Sequence, residues 1–222
     1  MREPIVTIVP VRSLRNGKTR LSSVLSPEAR AALLRRSAER VIAAATAADV
    51  VARTVVVSPD PDVLDWASRL GRGVTPLLQP ESRLGLNGAI DAGREWTIDH
   101  GFARMFSLFA DLPLIAASDL EAMAIRAEPV VLGPDRRGEG TNALLLRLPG
   151  DGANFQFAFG AGSLDKHRAA AARLGLQCTT VVLPGIGFDL DTPDDWNDFL
   201  EAVAGDAADW SALAACDGVC AR

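Results

Sequence analysis

Four aspartates, Asp189, Asp191, Asp194 and Asp195, fall within seven residues, just after the apolar run CTTVVLPGI. Carboxylates that close repel unless a positive group sits among them or water separates them. Asp189 and Asp191 flank Leu190, so on an extended chain both point to one side, ~7 Å apart, while Leu190 points into the core. That pair suits a hard divalent cation such as Mg²⁺, which prefers oxygen ligands. Asp194 and Asp195 have a structural reading: Thr192 caps a helix, Pro193 is its first residue, and acids in the first turn complement the helix dipole. A further carboxylate, Asp111 in LFADLPLI, follows an apolar run and precedes a proline that ends it. Alone, Asp111 reads equally as a turn former. Beside Asp189 and Asp191 it completes a candidate set of three catalytic, metal-ligating carboxylates.

The cationic counterpart is local. The first forty residues carry nine Lys and Arg against three acids, and the remainder fourteen against twenty-five. A basic segment running from Arg12 through Lys18 to Arg20 can hold a nucleoside triphosphate against an acidic site that needs a metal ion to accept it. Two loops put glycine and a hydroxyl where a backbone must approach something closely: Gly140-Thr141-Asn142 and Gly160-Ala161-Gly162-Ser163. The second opens a helix, whose N-terminal N–H groups favour an anion. Ser163 there reads as cap or as ligand, and His167 and Arg168 follow one turn later. These groups together suit transfer of a nucleotidyl group from a metal-bound nucleoside triphosphate to an anionic acceptor. If the acceptor is itself a phosphate, its oxygen is already ionised at neutral pH and no strong general base is needed. A chain with only two histidines, His100 and His167, fits that demand. Catalysis would then come from in-line positioning, charge neutralisation by Mg²⁺, and Lys and Arg stabilising the departing pyrophosphate.

Other chemistries fit less well. RNGKT has the tail of a phosphate-binding P-loop, but the position of its first glycine is Arg12. No G-x-G-x-x-G follows the first apolar run, which disfavours a dinucleotide-dependent dehydrogenase, and no nucleophile elbow is present.

The elements that must position these groups alternate. Runs at 4–11, 53–59, 74–79, 103–111, 129–135, 142–148 and 178–185 read as strands, short and apolar on both faces. Between them lie helical patterns: one opened by Ser26 as N-cap and Pro27, one at SDLEAMAIRA with Ser118 and Glu121 as a capping box, and others at 61–70, 87–100, 163–175 and 193–204. Strand-helix alternation with two-sided apolar strands predicts an α/β three-layer fold around a mostly parallel sheet. In such a sheet ligands bind beyond the carboxyl ends of the strands, where the polar residues named above all fall.

The totals set limits. At 222 residues, with 48% hydrophobic and 23% charged side chains, the chain fits one large domain, assigned here to residues 1–205 with a tail over 206–222. No apolar run approaches the ~18–20 residues that span a bilayer, and MREPIVTIVPV reads as a strand rather than a signal peptide, so a cytoplasmic protein with no membrane partner is expected. A net charge of −5 argues against nucleic acid. Cys178, Cys216 and Cys220 lack a nearby histidine and read as one core and two tail thiols rather than a zinc site. The sequence leaves open whether the chain works alone or as a homodimer.

Taken in series, VPVRSLRNGKTRLS, LN at 86–87, ADLP, PDRRGEGTNALLL, FGAGSLDKHRAAA and DLDTPDDW resemble the CofC/FbiD guanylyltransferases over about residues 5–200. The resemblance implies a compact nucleotidyltransferase fold of the GT-A type, Rossmann-like in its layers. It also implies transfer of GMP from GTP to 2-phospho-L-lactate, phosphoenolpyruvate or 3-phospho-D-glycerate in coenzyme F420 biosynthesis. By position it implies Lys18 and Arg20 on the triphosphate, Asn87 near the nucleoside, and Asp111, Asp189 and Asp191 on the metal. Thr141, Gly160 and Ser163 would surround the acid's phosphate or carboxylate. Two alternatives remain: another nucleotidyltransferase of this fold, acting on a sugar phosphate or a molybdenum cofactor, or a nucleotide-binding regulator without catalysis. The first normally opens with a GGxGxR loop where this chain has VRSLRNGKTR. The second would be expected to shed the carboxylates that are kept here.

Overall fold

A computed structural model describes residues 3–203. Seven strands, β1 (Ile5–Pro10), β2 (Val51–Ser58), β3 (Val74–Leu78), β4 (Arg104–Leu108), β5 (Val130–Pro134), β6 (Thr141–Arg147) and β7 (Cys178–Thr180), form one sheet in the order β3-β2-β1-β4-β6-β5-β7. β1 is parallel to β2 and β4, β2 to β3, and β5 to β7; β6 runs antiparallel to both its neighbours.

Apolar residues on both faces oblige the sheet to be covered twice. Val9 and Phe106 point towards α1 (Pro27–Ala47), α2 (Pro61–Ser68) and α4 (Ala117–Ala124). Ile8, Met105 and Leu144 point towards α3 (Gly85–Asp99) and α5 (Ser163–Arg173). A third, smaller cluster brings Leu21, Leu25 and Leu33 against Leu190 and against Trp196 and Phe199 of α7 (Pro193–Ala202). The mostly parallel three-layer α/β expectation therefore holds.

Local signals hold in part. Ser26 accepts from Ala29 N at 3.2 Å with Pro27 as the first helical residue. The final helix starts as expected: Thr192 accepts from Asp195 N, and Asp195 reaches back to Thr192 N at 2.7 Å. Two expectations fail. Ser118 and Glu121 make no capping box, because α4 begins at Ala117 with Ala116 as its N-cap, two residues before Ser118, and Asp119 accepts from Ala116 N at 2.9 Å. The run 178–185 is not a long buried strand: β7 has three half-buried residues at the sheet edge, and Pro184–Gly187 forms a single helical turn, α6. Pro184 has no N–H to continue a ladder, which ends pairing there. The tail thiols Cys216 and Cys220 lie outside the described residues. No described helix is long and apolar enough to cross a membrane.

Candidate active site

The chain builds β1, β2 and β3 outward in one direction, then returns to lay β4 on the other side of β1. At such a reversal the loops leaving two adjacent parallel strands part, and a crevice opens at their carboxyl ends. The loop after β1 carries Arg12 to Lys18, and the loop after β4 carries Asp111. Sheet topology alone brings these sequence-distant groups together.

Lys18 is the positive group among the aspartates. Its Nζ lies 2.6 Å from Asp111 Oδ2 and 2.7 Å from Asp191 Oδ1, and its side chain is only 7% exposed. Burial would lower the affinity of that ammonium for its proton, but the charges and hydrogen bonds of the two carboxylates override it and lift the pKa above its ordinary value. Lys18 is also the one described non-glycine residue with a left-handed backbone, φ 51° and ψ 38°. For an L-residue this costs about 1–2 kcal/mol, so the surroundings must hold it. They do so through the two ion pairs and through Leu21, fully buried in the next turn.

Leu190 is fully buried while Asp189 and Asp191 on either side are partly exposed, which is the alternation expected of an extended chain. Asn142 donates to Asp189 Oδ1 at 3.3 Å and to Ile186 O at 2.9 Å, fixing the segment that carries Asp189. The Asp189 carboxyl is raised above the usual carboxylate range by burial and, against the help of Asn142, by the nearby charges of Asp111 and Asp191. Mutual repulsion of this kind marks three carboxylates that share one neighbourhood. Among the described residues no three acidic, His or Cys side chains already enclose a point where a metal ion would sit. The donor set nevertheless suits one: Asp111 Oδ1 is buried and without a hydrogen-bond partner, and carboxylate oxygens are what a hard divalent cation takes.

Beside Asp111 lies a cavity of about 300 Å³ lined by Pro10, Val11, Arg12, Leu86, Phe109 and Ala110 among others. Its lining is mostly apolar, with Arg12 and Asp111 as its charged members, a form suited to a flat ring joined to an anion. Arg20 is exposed on the 3-10 turn Thr19–Leu21 that follows Lys18.

The expected acceptor groups form a second, connected assembly. Thr141 N–H donates to Ser163 Oγ at 2.8 Å, and Thr141 Oγ1 lies 3.0 Å from His167 Nδ1. His167 Nε2 accepts from Ala158 N at 3.0 Å. Thr141, Ser163 and His167 are all buried, and both His167 nitrogens are engaged. His167 thus holds the loop 155–162 rather than facing a ligand, and burial, helped by Lys166, pushes its pKa down to about 4, so the ring is neutral. Ser163 does not cap α5: Gly162, with φ 65°, is the N-cap, and the first two helix amides are answered by Gly160 O and Glu139 O. The expected set of unpaired N–H groups is therefore smaller than the sequence suggested. Gly160, with φ 124° and open space where a side chain would project, is exposed together with Ala161 and Gly162. Asn87 grips this loop too, through the backbone of Phe159.

Two supporting groups escaped the sequence reading. Asn142 reads in the sequence only as part of the Gly140-Thr141-Asn142 loop. Arg136 pairs with Asp195 and, at 2.6 Å, with Asp198, and covers the Phe188 ring. Asp195 in turn accepts from Asp191 N at 3.0 Å, so it anchors the backbone of a candidate ligand. The signal available was the excess of acids at 194–198 facing the arginines of GPDRRGEG, but no local pattern says that the two meet.

Solved structures share this architecture. A chain from Desulfovibrio desulfuricans G20 described as a nucleotide-diphospho-sugar transferase superposes with a TM-score of 0.76 at 16% identity, covering 98% of this chain and 96% of its own. CMP:2-keto-3-deoxy-manno-octonic acid synthetase complexed with CTP gives 0.59 at 15%, covering 91% and 99%. The fold is thus that of the nucleotidyltransferases of the nucleotide-diphospho-sugar transferase type. Within that class, residues 5–208 match the family "Guanylyl transferase CofC like", and the chain belongs to it. It is 39% identical to the phosphoenolpyruvate guanylyltransferase of Sphaerobacter thermophilus over 91% of this chain and 93% of that one, and 41% identical to that of Rubrobacter xylanophilus over 86% and 91%. It is 33% identical to the 2-phospho-L-lactate guanylyltransferase of Methanothermobacter thermautotrophicus over 87% and 82%.

Proposed function

We propose that this guanylyl transferase moves GMP from GTP onto the phosphate of phosphoenolpyruvate and releases pyrophosphate, as a cytoplasmic step of coenzyme F420 biosynthesis. One observation carries the site: Lys18, Asp111 and Asp191 meet at the strand ends beside the Arg12-lined cavity. The choice of acceptor rests on the names of relatives such as those from Sphaerobacter and Rubrobacter. The more distant Methanothermobacter relative favours 2-phospho-L-lactate as the second reading.

In this reading an acceptor phosphate oxygen attacks the α-phosphorus of GTP in line. The new P–O bond forms as the bond from the α-phosphorus to the bridging oxygen of the pyrophosphate breaks, and the electron pair leaves with pyrophosphate. The attacking oxygen carries its charge at neutral pH, so no side chain need remove a proton. This agrees with the lack of a free histidine: His167 is buried and neutral, and His100 ends α3 stacked on Trp96. Asp111, Asp189 and Asp191 would hold Mg²⁺, which neutralises phosphate charge when bound. Arg12, Lys18 and Arg20 supply the cationic side of the triphosphate. The loop around Gly160, held by Asn87, His167, Thr141 and Ser163, positions the acid.

Incubation with GTP, Mg²⁺ and each of phosphoenolpyruvate, 2-phospho-L-lactate and 3-phospho-D-glycerate, with pyrophosphate as the readout, tests this. The fastest release is expected with phosphoenolpyruvate. Asp191→Asn should abolish turnover in a folded protein, since a ligand charge is lost without opening the core. Full activity in that variant would remove the site assignment, and GTP binding without pyrophosphate release would favour a regulator.

A further inference from the structure

Lys18 stands at the point where two candidate metal ligands converge. Its ammonium neutralises one oxygen of Asp111 and one of Asp191, while Asp111 Oδ1 stays buried and unanswered. An ammonium has only three donors and one charge, so it satisfies this cluster incompletely, whereas a divalent cation would take several of these oxygens at once. Both cannot sit within bonding distance of the same two carboxylates without strong repulsion.

The residue is built to leave. Lys18 carries its charge on a flexible four-carbon stem, so the ammonium can swing without moving the chain. The left-handed backbone at Lys18, anchored by buried Leu21, aims the ammonium at Asp111, which lines the cavity together with Arg12 of the same loop as Lys18. Phosphate oxygens arriving there would offer the ammonium a partner of equal charge.

We propose that Lys18 is the counter-cation of the nucleotide-free enzyme: its ammonium and the metal compete for Asp111 and Asp191, and the triphosphate admits the metal by drawing the ammonium onto its own oxygens. This rests on reading the aspartates as metal ligands. It makes metal and nucleotide binding mutually reinforcing, and by linkage the effect is equal in both directions. It also answers why Asp111 and Asp191 tolerate one another before substrate arrives.

The probe is Mn²⁺, with protein-bound ion followed by electron paramagnetic resonance, with and without a GTP analogue that cannot be cleaved between the α- and β-phosphates. The Mn²⁺–analogue complex alone is titrated in parallel. Wild-type protein is expected to bind Mn²⁺ weakly alone and at least tenfold more tightly with the analogue. Lys18→Met, a neutral stem of similar length, should bind Mn²⁺ at least tenfold more tightly than wild type in the absence of nucleotide and lose most of the coupling. Lys18→Gln should behave alike, and thermal unfolding checks that both variants are folded. Equal Mn²⁺ affinity in wild type and both variants without nucleotide, with tight binding in the presence of analogue preserved, would overturn the competition and leave the metal site standing. Wild-type affinity unchanged by the analogue would overturn it without any variant. No protein-bound Mn²⁺ under either condition would remove the metal reading itself, and this proposal with it.

Discussion

Asn87 holds Phe159 by both backbone atoms: Phe159 N–H donates to Asn87 Oδ1 at 2.8 Å, and Asn87 Nδ2 donates to Phe159 O at 3.3 Å. The side chain acts as a short strand edge, tying the first turn of α3 to the loop that presents Gly160. Its amide is therefore spent on the protein, so in the proposed reading Asn87 acts on the acid through the loop it holds.

Asn87→Ala should raise KM for the acid about tenfold, equivalent to about 1.4 kcal/mol and typical of lost hydrogen bonds, with a smaller change for GTP. Steady-state kinetics with each substrate varied in turn make the comparison. A larger effect on GTP would return Asn87 to the nucleotide.

His167 makes stability depend on acid. Its folded pKa is about 4, below the ~6.5 of an unfolded histidine, so the unfolded chain binds the extra proton first. The contribution is complete above ~6.5 and is lost as pH falls towards about 4, by at most ~3 kcal/mol. Urea unfolding at pH 7 and near pH 4.5 should show the drop in wild type and a shallower one in His167→Gln. Parallel pH dependences in the two proteins would acquit His167.

Asp195 couples fold to site. It is buried, which raises a carboxyl, yet hydrogen bonds from Thr192, from Asp191 N and Thr192 N, and from Arg136 bring its pKa below the ordinary value. Its stabilisation is thus present above ~4 and lost as pH falls through the lower folded value. Asp195→Ala breaks the reciprocal half of the capping box and uncovers the Asp191 and Thr192 amides, at a cost of about 2 kcal/mol, read as a lower melting temperature. Because Asp191 N is one of those amides, turnover should fall further than the folded fraction does.

Gly93 seats α3 on the sheet. A Cβ there would fall 2.5 Å from Ile8 Cγ2 and 2.9 Å from Ile8 Cδ1, so Gly93→Ala should overpack the core and cost about 1–3 kcal/mol in chemical unfolding. A neutral result would mean that Ile8 can repack.

The seven strands, the helix that begins at Ser26 and the one capped by Thr192 were legible because each is written in local signals: two-sided apolar runs, a capping hydroxyl, a proline at the first helical position. The 178–185 run was misread because edge and buried strands look alike until their neighbours are known. Pro184 was the one local hint. Ser118 and Glu121 had the right spacing for a box, but the cap lies two residues earlier, at Ala116, where Asp119 has the reach.

The sequence by itself determined the chemistry on offer: one carboxylate just past an apolar strand, a pair flanking a buried leucine, a basic segment, and only two histidines. It could not say that Lys18 lies between Asp111 and Asp191, that Arg136 anchors Asp195, or that His167 turns inward to hold Ala158. The Lys18 pairings cross the return of the chain from β3 to β4, the Arg136 pairing crosses the antiparallel insertion of β6, and His167 meets Ala158 only once α5 has packed against the sheet. Side-chain charges meet at distances set by the order of strands in the sheet, not by their separation along the chain.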